Sequence, residues 1–237
     1  MNLILLSPKQ VDDQQQARIV GRQFEHIVKT LNAQVGDTLS IGIENSTMGH
    51  GELIALKSDH ALIQLTSQLA PPKALPLKLV LAMPRPKMLR RTLHSCISMG
   101  IKEIVLLNSW KVEKSYWQTP WLKEQALYET SVLALEQSKD TILPCIQIRK
   151  LFKPFIEDEL REFSKDTQGI LAHPGSTADC PINTSQATTL VIGPEGGFTA
   201  YEVEKIREQG FEAVNIGERI LRVETAVPAL ISRLYPS

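Results

Sequence analysis

The 237-residue sequence predicts an α/β protein in two parts, a small β-rich N-terminal domain and a larger parallel-sheet domain. Three observations carry that reading. Short strand-like runs crowd residues 2–65. From residue 77 onward, apolar runs alternate with helix-forming stretches. Between the two, Ala70-Pro71-Pro72-Lys73-Ala74-Leu75-Pro76 holds three prolines in seven residues. Prolines bias the chain to extended conformations and punctuate elements. The boundary falls there, giving domains 1–72 and 73–237.

In order, Asn2 to Leu6 is apolar and strand-like, and Gln23 to Leu31 has helical spacing, with Phe24, Ile27, Val28 and Leu31 on one face. Thr38 to Ile43, Gly51 to Leu56 and His60 to Leu65 read as strands separated by turn-rich pieces, which suggests a small barrel or sandwich. Beyond the prolines, Leu77 to Ala82 is a buried-type strand and Met88 to Met99 a helix that Gly100 can cap. Strand candidates follow at Glu103 to Leu107, Cys145 to Ile148, Gly169 to Ala172, Leu190 to Ile192 and Ala213 to Ile216. Helices are expected at Trp121 to Gln137, Phe155 to Phe163, Ala200 to Gln209 and Thr225 to Leu234, the last with Pro228 in its first turn. Strand–helix alternation implies a parallel sheet covered on both faces.

The composition is that of an ordinary globular protein, at 43% hydrophobic and 22% charged. No apolar run is long enough for a membrane span, and Met1 to Gln10 lacks the basic start and long apolar stretch of a secretory signal. A cytoplasmic setting is expected. Cys96, Cys145 and Cys180 are scattered, which suggests reduced thiols. His26, His50, His60, His94 and His173 show no metal-ligand spacing, so no metal is expected. Lys plus Arg equals Asp plus Glu at 26 each, so any nucleic-acid contact must come from a local basic face.

Two segments carry chemistry. In Leu190-Val191-Ile192-Gly193-Pro194-Glu195-Gly196-Gly197-Phe198-Thr199, an apolar strand enters a glycine-rich loop and then a helix. Thr199 and Glu202 have the spacing of a capping box. Ligands of open α/β sheets bind at the carboxyl ends of strands, and glycine lets a ligand approach bare backbone. A phosphate-binding loop is the rival reading, but no Lys-Ser/Thr pair follows, and the GxGxxG pattern is absent. Alone, the cluster is equally consistent with a tight turn. The second segment is Asn215-Ile216-Gly217-Glu218-Arg219-Ile220-Leu221-Arg222-Val223-Glu224-Thr225-Ala226, ahead of the last helix. Alone it would pass for a surface loop of solvated ion pairs.

Together the two segments resemble the bacterial small-subunit ribosomal RNA uridine-N3 methyltransferases of the SPOUT, or α/β-knot, superfamily. That family carries a GPEGG loop, here Gly193 to Gly197, and a downstream Leu/Ile-Gly-x-Arg-Ile/Val-Leu-Arg-x-Glu-Thr stretch, here Ile216 to Thr225. Weaker similarity lies at Ala134-Leu135-Glu136-Gln137-Ser138 and at His26-Ile27-Val28-Lys29-Thr30-Leu31. The resemblance implies a C-terminal SPOUT domain with a trefoil knot, a PUA-like N-terminal barrel that binds RNA, and a homodimer. It also implies S-adenosylmethionine as methyl donor and N3 of a uridine in 16S ribosomal RNA of the small subunit as acceptor.

The resemblance places the donor on three loops. The first holds Leu171, His173, Pro174 and Gly175, the second Ile192, Gly193, Pro194, Glu195, Gly196 and Gly197. The third holds Ile216, Gly217, Ile220, Leu221 and Arg222, with Thr225 and Ala226 beyond. Methylating uridine N3 removes an imide proton, so a cation beside the flanking carbonyls would stabilise the developing charge. Arg222 is the first choice and Arg219 the second, while Glu195 or Glu224 is a candidate base. RNA contacts are expected from Arg18, Arg22, His26 and Lys29 in the first domain and from Arg85, Lys87, Arg90 and Arg91 in the second. Trp110, Tyr116, Trp117 and Trp121 form an aromatic-rich stretch with two readings, base stacking and packing. The rival functions are methylation of another RNA, a catalytically silent RNA-binding scaffold, and a nucleotide-binding α/β enzyme.

Overall fold

The computed structural model describes residues 2–236. Its strands are β1 (Ile4–Leu6), β2 (Gln16–Ile19), β3 (Thr38–Ile43), β4 (Met48–Leu56), β5 (Ala61–Leu69), β6 (Leu77–Ala82), β7 (Glu103–Leu107), β8 (Cys145–Arg149), β9 (Gln168–Ala172), β10 (Thr188–Ile192) and β11 (Glu212–Val214). Its α-helices are α1 (Gly21–His26), α2 (Pro86–Ser98), α3 (Glu124–Ser138), α4 (Phe152–Pro154), α5 (Leu160–Phe163), α6 (Ala200–Glu208) and α7 (Val223–Leu234). Single π turns, Ile27–Leu31 and Phe155–Glu159, extend α1 and join α4 to α5.

The chain forms two compact units. One is Met1–Lys73 with Ser131–Leu143, the other Ala74–Thr130 with Pro144–Ser237. The first unit therefore takes in the C-terminal half of α3, a return of the chain that a single break after residue 72 does not include.

In the first unit a five-stranded sheet runs in the order β1-β3-β4-β5-β2. β1 lies parallel to β3, and the other pairs are antiparallel. Among the described residues no ladder joins the edge strands β1 and β2, so the sheet is open and not a closed barrel. Register shifts at His50/Gly51 and Leu53/Ala55 bend β4 and curl the sheet. β4 alternates buried and exposed residues over its first half, as a strand with one face in the core must. That core gathers Leu6, Ile19, Ile27, Ile41, Leu53 and Ile63, each 2% exposed or less.

The returning segment is tied to this sheet. The Glu136 carbonyl accepts the N–H groups of Asn2 and Leu3 at 2.9 and 3.0 Å. Its carboxylate, 1% exposed, accepts from Gln23 Nε2 at 2.9 Å and from the Leu5 N–H at 3.4 Å, and lies 2.8 Å from the Arg22 guanidinium. Thr141 packs over Gly42 of β3, where a Cβ would come within 2.7 Å of its methyl group. The Ala-Leu-Glu-Gln-Ser stretch is thus an anchor of the first unit.

The second unit is built on a six-stranded sheet, β11-β9-β10-β6-β7-β8, parallel throughout. Leu79, Val80, Leu81, Val105, Leu106, Leu190 and Val191 are fully buried, the continuous apolar pattern of strands covered on both faces. From β6 the chain steps outward through β7 and β8, then crosses back so that β10 pairs with β6. The carboxyl ends of β6 and β10 are therefore the topological switch point, where open α/β sheets place their ligands. One expectation is corrected here. Pro228 lies in the interior of α7, not its first turn, because the helix begins at Val223. It removes one hydrogen bond from that helix.

Candidate functional site

Three loops leave the carboxyl ends of β9, β10 and β11 and converge on one open cleft. Ala172, His173 and Pro174 form one side. Ile192 through Glu195, with Gly197 and Phe198, form the second, and Asn215, Ile216, Gly217, Arg219, Ile220 and Leu221 the third. Val214, Val223, Ala226 and Leu230 make an apolar floor. The walls are mostly backbone and aliphatic side chain, which suits a ligand with a flat apolar ring and hydrogen-bonding edges.

Local chemistry holds each loop. The His173 N–H donates to Val214 O at 2.9 Å, and the Ser176 hydroxyl to Ala213 O, fastening the first loop to β11. Asn215 is the hub. Its Nδ2 donates to Ser176 O at 2.8 Å and Ala178 O at 3.2 Å, and its Oδ1 accepts the Gly217 N–H at 2.8 Å. Its carbonyl takes the Cys180 N–H at 2.7 Å, while Arg233 Nε donates to Cys180 O at 2.8 Å. Burial pushes the Cys180 thiol above its ordinary pKa, and Arg233 opposes that shift.

The glycine loop is held at both ends. Thr199 and Glu202 form the expected capping box at α6, with the Thr199 N–H 2.8 Å from Glu202 Oε2. The other Glu202 oxygen accepts the Trp110 N–H at 2.7 Å. Glu195 Oε1 accepts the Arg85 N–H at the start of α2, 3.0 Å away, bridging the two sides of the switch point. Lys111 Nζ donates to Gly196 O at 2.8 Å. At Gly193 a Cβ would lie 3.1 Å from the Phe198 ring and 3.2 Å from the Phe198 backbone nitrogen, a tight fit that would push Phe198 back by a few tenths of an ångström.

Most donor candidates meet in this cleft, but several do not line it. Leu171 is buried inside β9, while Gly175, Gly196, Arg222 and Thr225 stand outside the wall. Arg222 is the N-cap of α7, and its carbonyl accepts from Thr225 and Ala226 at 2.9 and 2.7 Å. Its side chain is exposed and makes no ion pair among the described residues. Arg219 and Glu195 are exposed on the rim, and Glu224 is half-buried on α7. Asn215 and Lys111 were not among the candidates, and only coordinates show the first as a hub and the second as a strut.

The basic residues divide similarly. In the first unit Arg18 lies 3.3 Å from Asp59, Arg22 pairs with Glu136 and Lys29 lies 3.2 Å from Glu25, all within their own unit. His26 is half-buried, and its Nε2 has no partner among the described residues. In the second unit Arg85, Lys87, Arg90 and Arg91 are exposed along the start of α2, and Arg90 stacks over Trp121 at 4.4 Å.

Known proteins share this architecture. The solved structure of a ribosomal RNA small subunit methyltransferase E from Neisseria gonorrhoeae, bound to S-adenosyl methionine, superposes with a TM-score of 0.76 at 20% identity, over 98% of this chain and 95% of that one. A Legionella pneumophila methyltransferase structure, described as putative and carrying its cofactor SAM, gives 0.77 at 20% identity with the same coverage. These likenesses show a common fold. In sequence, the ribosomal RNA small subunit methyltransferase E of Treponema pallidum is 30% identical over 217 residues, covering 87% of this chain and 80% of its own. The Bacillus subtilis protein of the same name is 23% identical over 244 residues, at 94% and 91% coverage. A family model described as an RNA methyltransferase domain matches residues 71–235. With that match over most of its length and the Treponema relative across 87% of it, this chain belongs to the RNA methyltransferase family.

Proposed function

We propose that this chain transfers a methyl group from S-adenosylmethionine to N3 of a uridine in the 16S RNA of the small ribosomal subunit. The observation that carries the reading is the convergence of His173–Pro174, Gly193–Phe198 and Asn215–Leu221 on one cleft at the carboxyl ends of parallel strands. Its apolar floor and backbone-rich walls fit an adenosine, and the close packing of Gly193 against Phe198 keeps the loop backbone bare for the ring's edge. The donor supplies an electrophilic methyl on a sulfonium. The chain's part is to hold the acceptor in line with it and to favour loss of the N3 proton. Arg219, exposed on the rim, is placed to face charge developing on the uridine carbonyls. Arg222, three residues on at the N-cap of the last helix, is the second cation, and Glu195 the carboxylate available to take the proton. The N3 edge is the pairing edge, so the base enters unpaired.

The wider assignment follows the same reading. The first unit's curled sheet is a PUA-like RNA-binding module, the C-terminal segment is threaded as a trefoil knot, and the working form is a cytoplasmic homodimer. The test is transfer of labelled methyl from S-adenosylmethionine to small subunits from a strain lacking this gene, with the nucleoside identified by mass spectrometry. N3-methyluridine in 16S RNA supports the assignment. Label in another nucleoside or RNA would change the acceptor, and no transfer at all would refute the enzyme.

A further inference from the structure

A second cleft of the same unit opens on the other side of the glycine loop, at the carboxyl ends of β7 and β8. It is open, and its rim carries Trp110, Trp117, Phe152 and Tyr201 together with Lys114, Lys150 and Lys153. Thr199 and Tyr201 join it to the donor cleft through Phe198, whose ring meets Phe152 at 6.2 Å.

Three features set it apart from leftover surface. Trp110 is 84% exposed, yet its backbone is pinned by the Glu202 carboxylate, so the ring is displayed from a fixed point. The Trp117 ring is likewise fixed, its Nε1 donating to Asn108 Oδ1 at 2.8 Å. Second, Ser109 lines the cleft at 3% exposure, and its hydroxyl has no hydrogen-bond partner among the described residues. A buried hydroxyl without a partner costs free energy that a ligand's polar edge would recover. Third, the charge is one-sided. Lys114 and Lys150 form no ion pair among the described residues, and Lys153 has only Glu157 at 3.8 Å, while Glu202 is already occupied by Trp110 and Thr199.

The exposed Trp110 and Tyr201 rings, two lysines without an ion pair among the described residues and a buried hydroxyl match the requirements of one ligand chemistry: a single-stranded nucleotide, with base stacked, phosphate neutralised and base edge read. We propose that this cleft is a base-stacking subsite for single-stranded RNA, holding a nucleotide that flanks the one entering the donor cleft. The proposal rests on the reading of the neighbouring cleft as the methyl-donor site. An aliphatic partner helix would find neither a use for three lysines nor a partner for Ser109 deep in the floor.

The test uses the full chain and a fluorescein-labelled single-stranded RNA decamer carrying 5-iodouridine, which photo-crosslinks to aromatic rings in contact. Trp110→Ala should weaken binding by about 5- to 150-fold, the range for losing one stacked base. Lys114→Ala with Lys150→Ala should flatten the salt dependence, and Ser109→Ala should weaken binding less than Trp110→Ala does. Wild-type cross-links should map to the peptide carrying Trp110 and Trp117. Calorimetry with S-adenosylhomocysteine should give the same affinity for all variants, which also reports that they are folded. Unchanged RNA affinity and cross-links in Trp110→Ala overturn the proposal. So does a change in sedimentation with RNA affinity intact, which would make the cleft a protein interface. Failure of the wild-type chain to bind S-adenosylhomocysteine would instead count against the donor cleft, and Trp110-dependent RNA binding would still support the subsite.

Discussion

Replacing Glu136 should loosen the first unit without touching the donor cleft. The carboxylate is 1% exposed and serves three groups: Gln23 Nε2, the Leu5 N–H and the Arg22 guanidinium. Glu136→Ala removes a buried hydrogen bond to a charged acceptor, about 1.5–3 kcal/mol. The Arg22 pair adds at most about 1 kcal/mol, because that side chain is 51% exposed and rehydrates once released. The long Leu5 contact, at 3.4 Å, adds little. The sum is about 2–4 kcal/mol, or roughly 5–15 °C in melting temperature for a chain of this size. Glu136→Gln keeps a carbonyl acceptor and should cost about half as much. Arg22→Ala should cost about 1 kcal/mol or less. Thermal and urea melts followed by circular dichroism, with S-adenosylhomocysteine affinity as control, make the comparison. If Arg22→Ala is as damaging as Glu136→Ala, or if Glu136→Ala costs under about 1 kcal/mol, the buried carboxylate is not the anchor.

Two further outcomes follow from the second unit. Gly193→Val places a branched side chain where even a Cβ lies 3.1 Å from Phe198, so donor affinity measured by calorimetry should fall at least tenfold while the melting temperature moves by only a few degrees. Native protein at pH 8 should give one fast thiol with a disulfide reagent, Cys145, which is exposed. Cys96 and Cys180 should react only on unfolding, because burial pushes the Cys96 thiol up to about 12 and raises that of Cys180. The sign follows from linkage. Unfolded Cys96 ionises near its ordinary value of 9.0 and folded Cys96 near 12, so its contribution is intact below about pH 9 and is lost as pH rises toward 12. A urea midpoint that rose over that window would contradict the assignment.

The sequence was most legible where one physical pattern dominated. β3, β6 and β7 have the bounds that apolar periodicity predicts, since nothing competes with burial there. β2, Gln16–Ile19, was missed because it is an edge strand with half its residues polar, and its partner β5 supplies the information. The Glu136 anchor and the Asn215 hub were illegible for a related reason. Each depends on side chains brought together across at least 37 residues of chain, as in the Gln23–Glu136 and Asn215–Ala178 bonds. The convergence of the three loops could be read only through the family resemblance, since alone the glycine cluster passes equally for a tight turn and Asn215 to Ala226 for a solvated surface loop. The basic residues could not, because charge alone does not say whether a guanidinium faces RNA or, like Arg22, a carboxylate of its own chain. Trp110 and Trp117 were visible as aromatics, but only their fixing hydrogen bonds and the buried Ser109 hydroxyl tell display from packing.

The central claim is that the donor sits among the three loops, and a crystal structure of this chain with S-adenosylhomocysteine tests it most directly. The account predicts the adenosine between Ile192–Phe198 and Asn215–Leu221, over the floor made by Val223, Ala226 and Leu230. Density for the ligand in the Trp110 cleft, or none after soaking at saturating concentration, would contradict it.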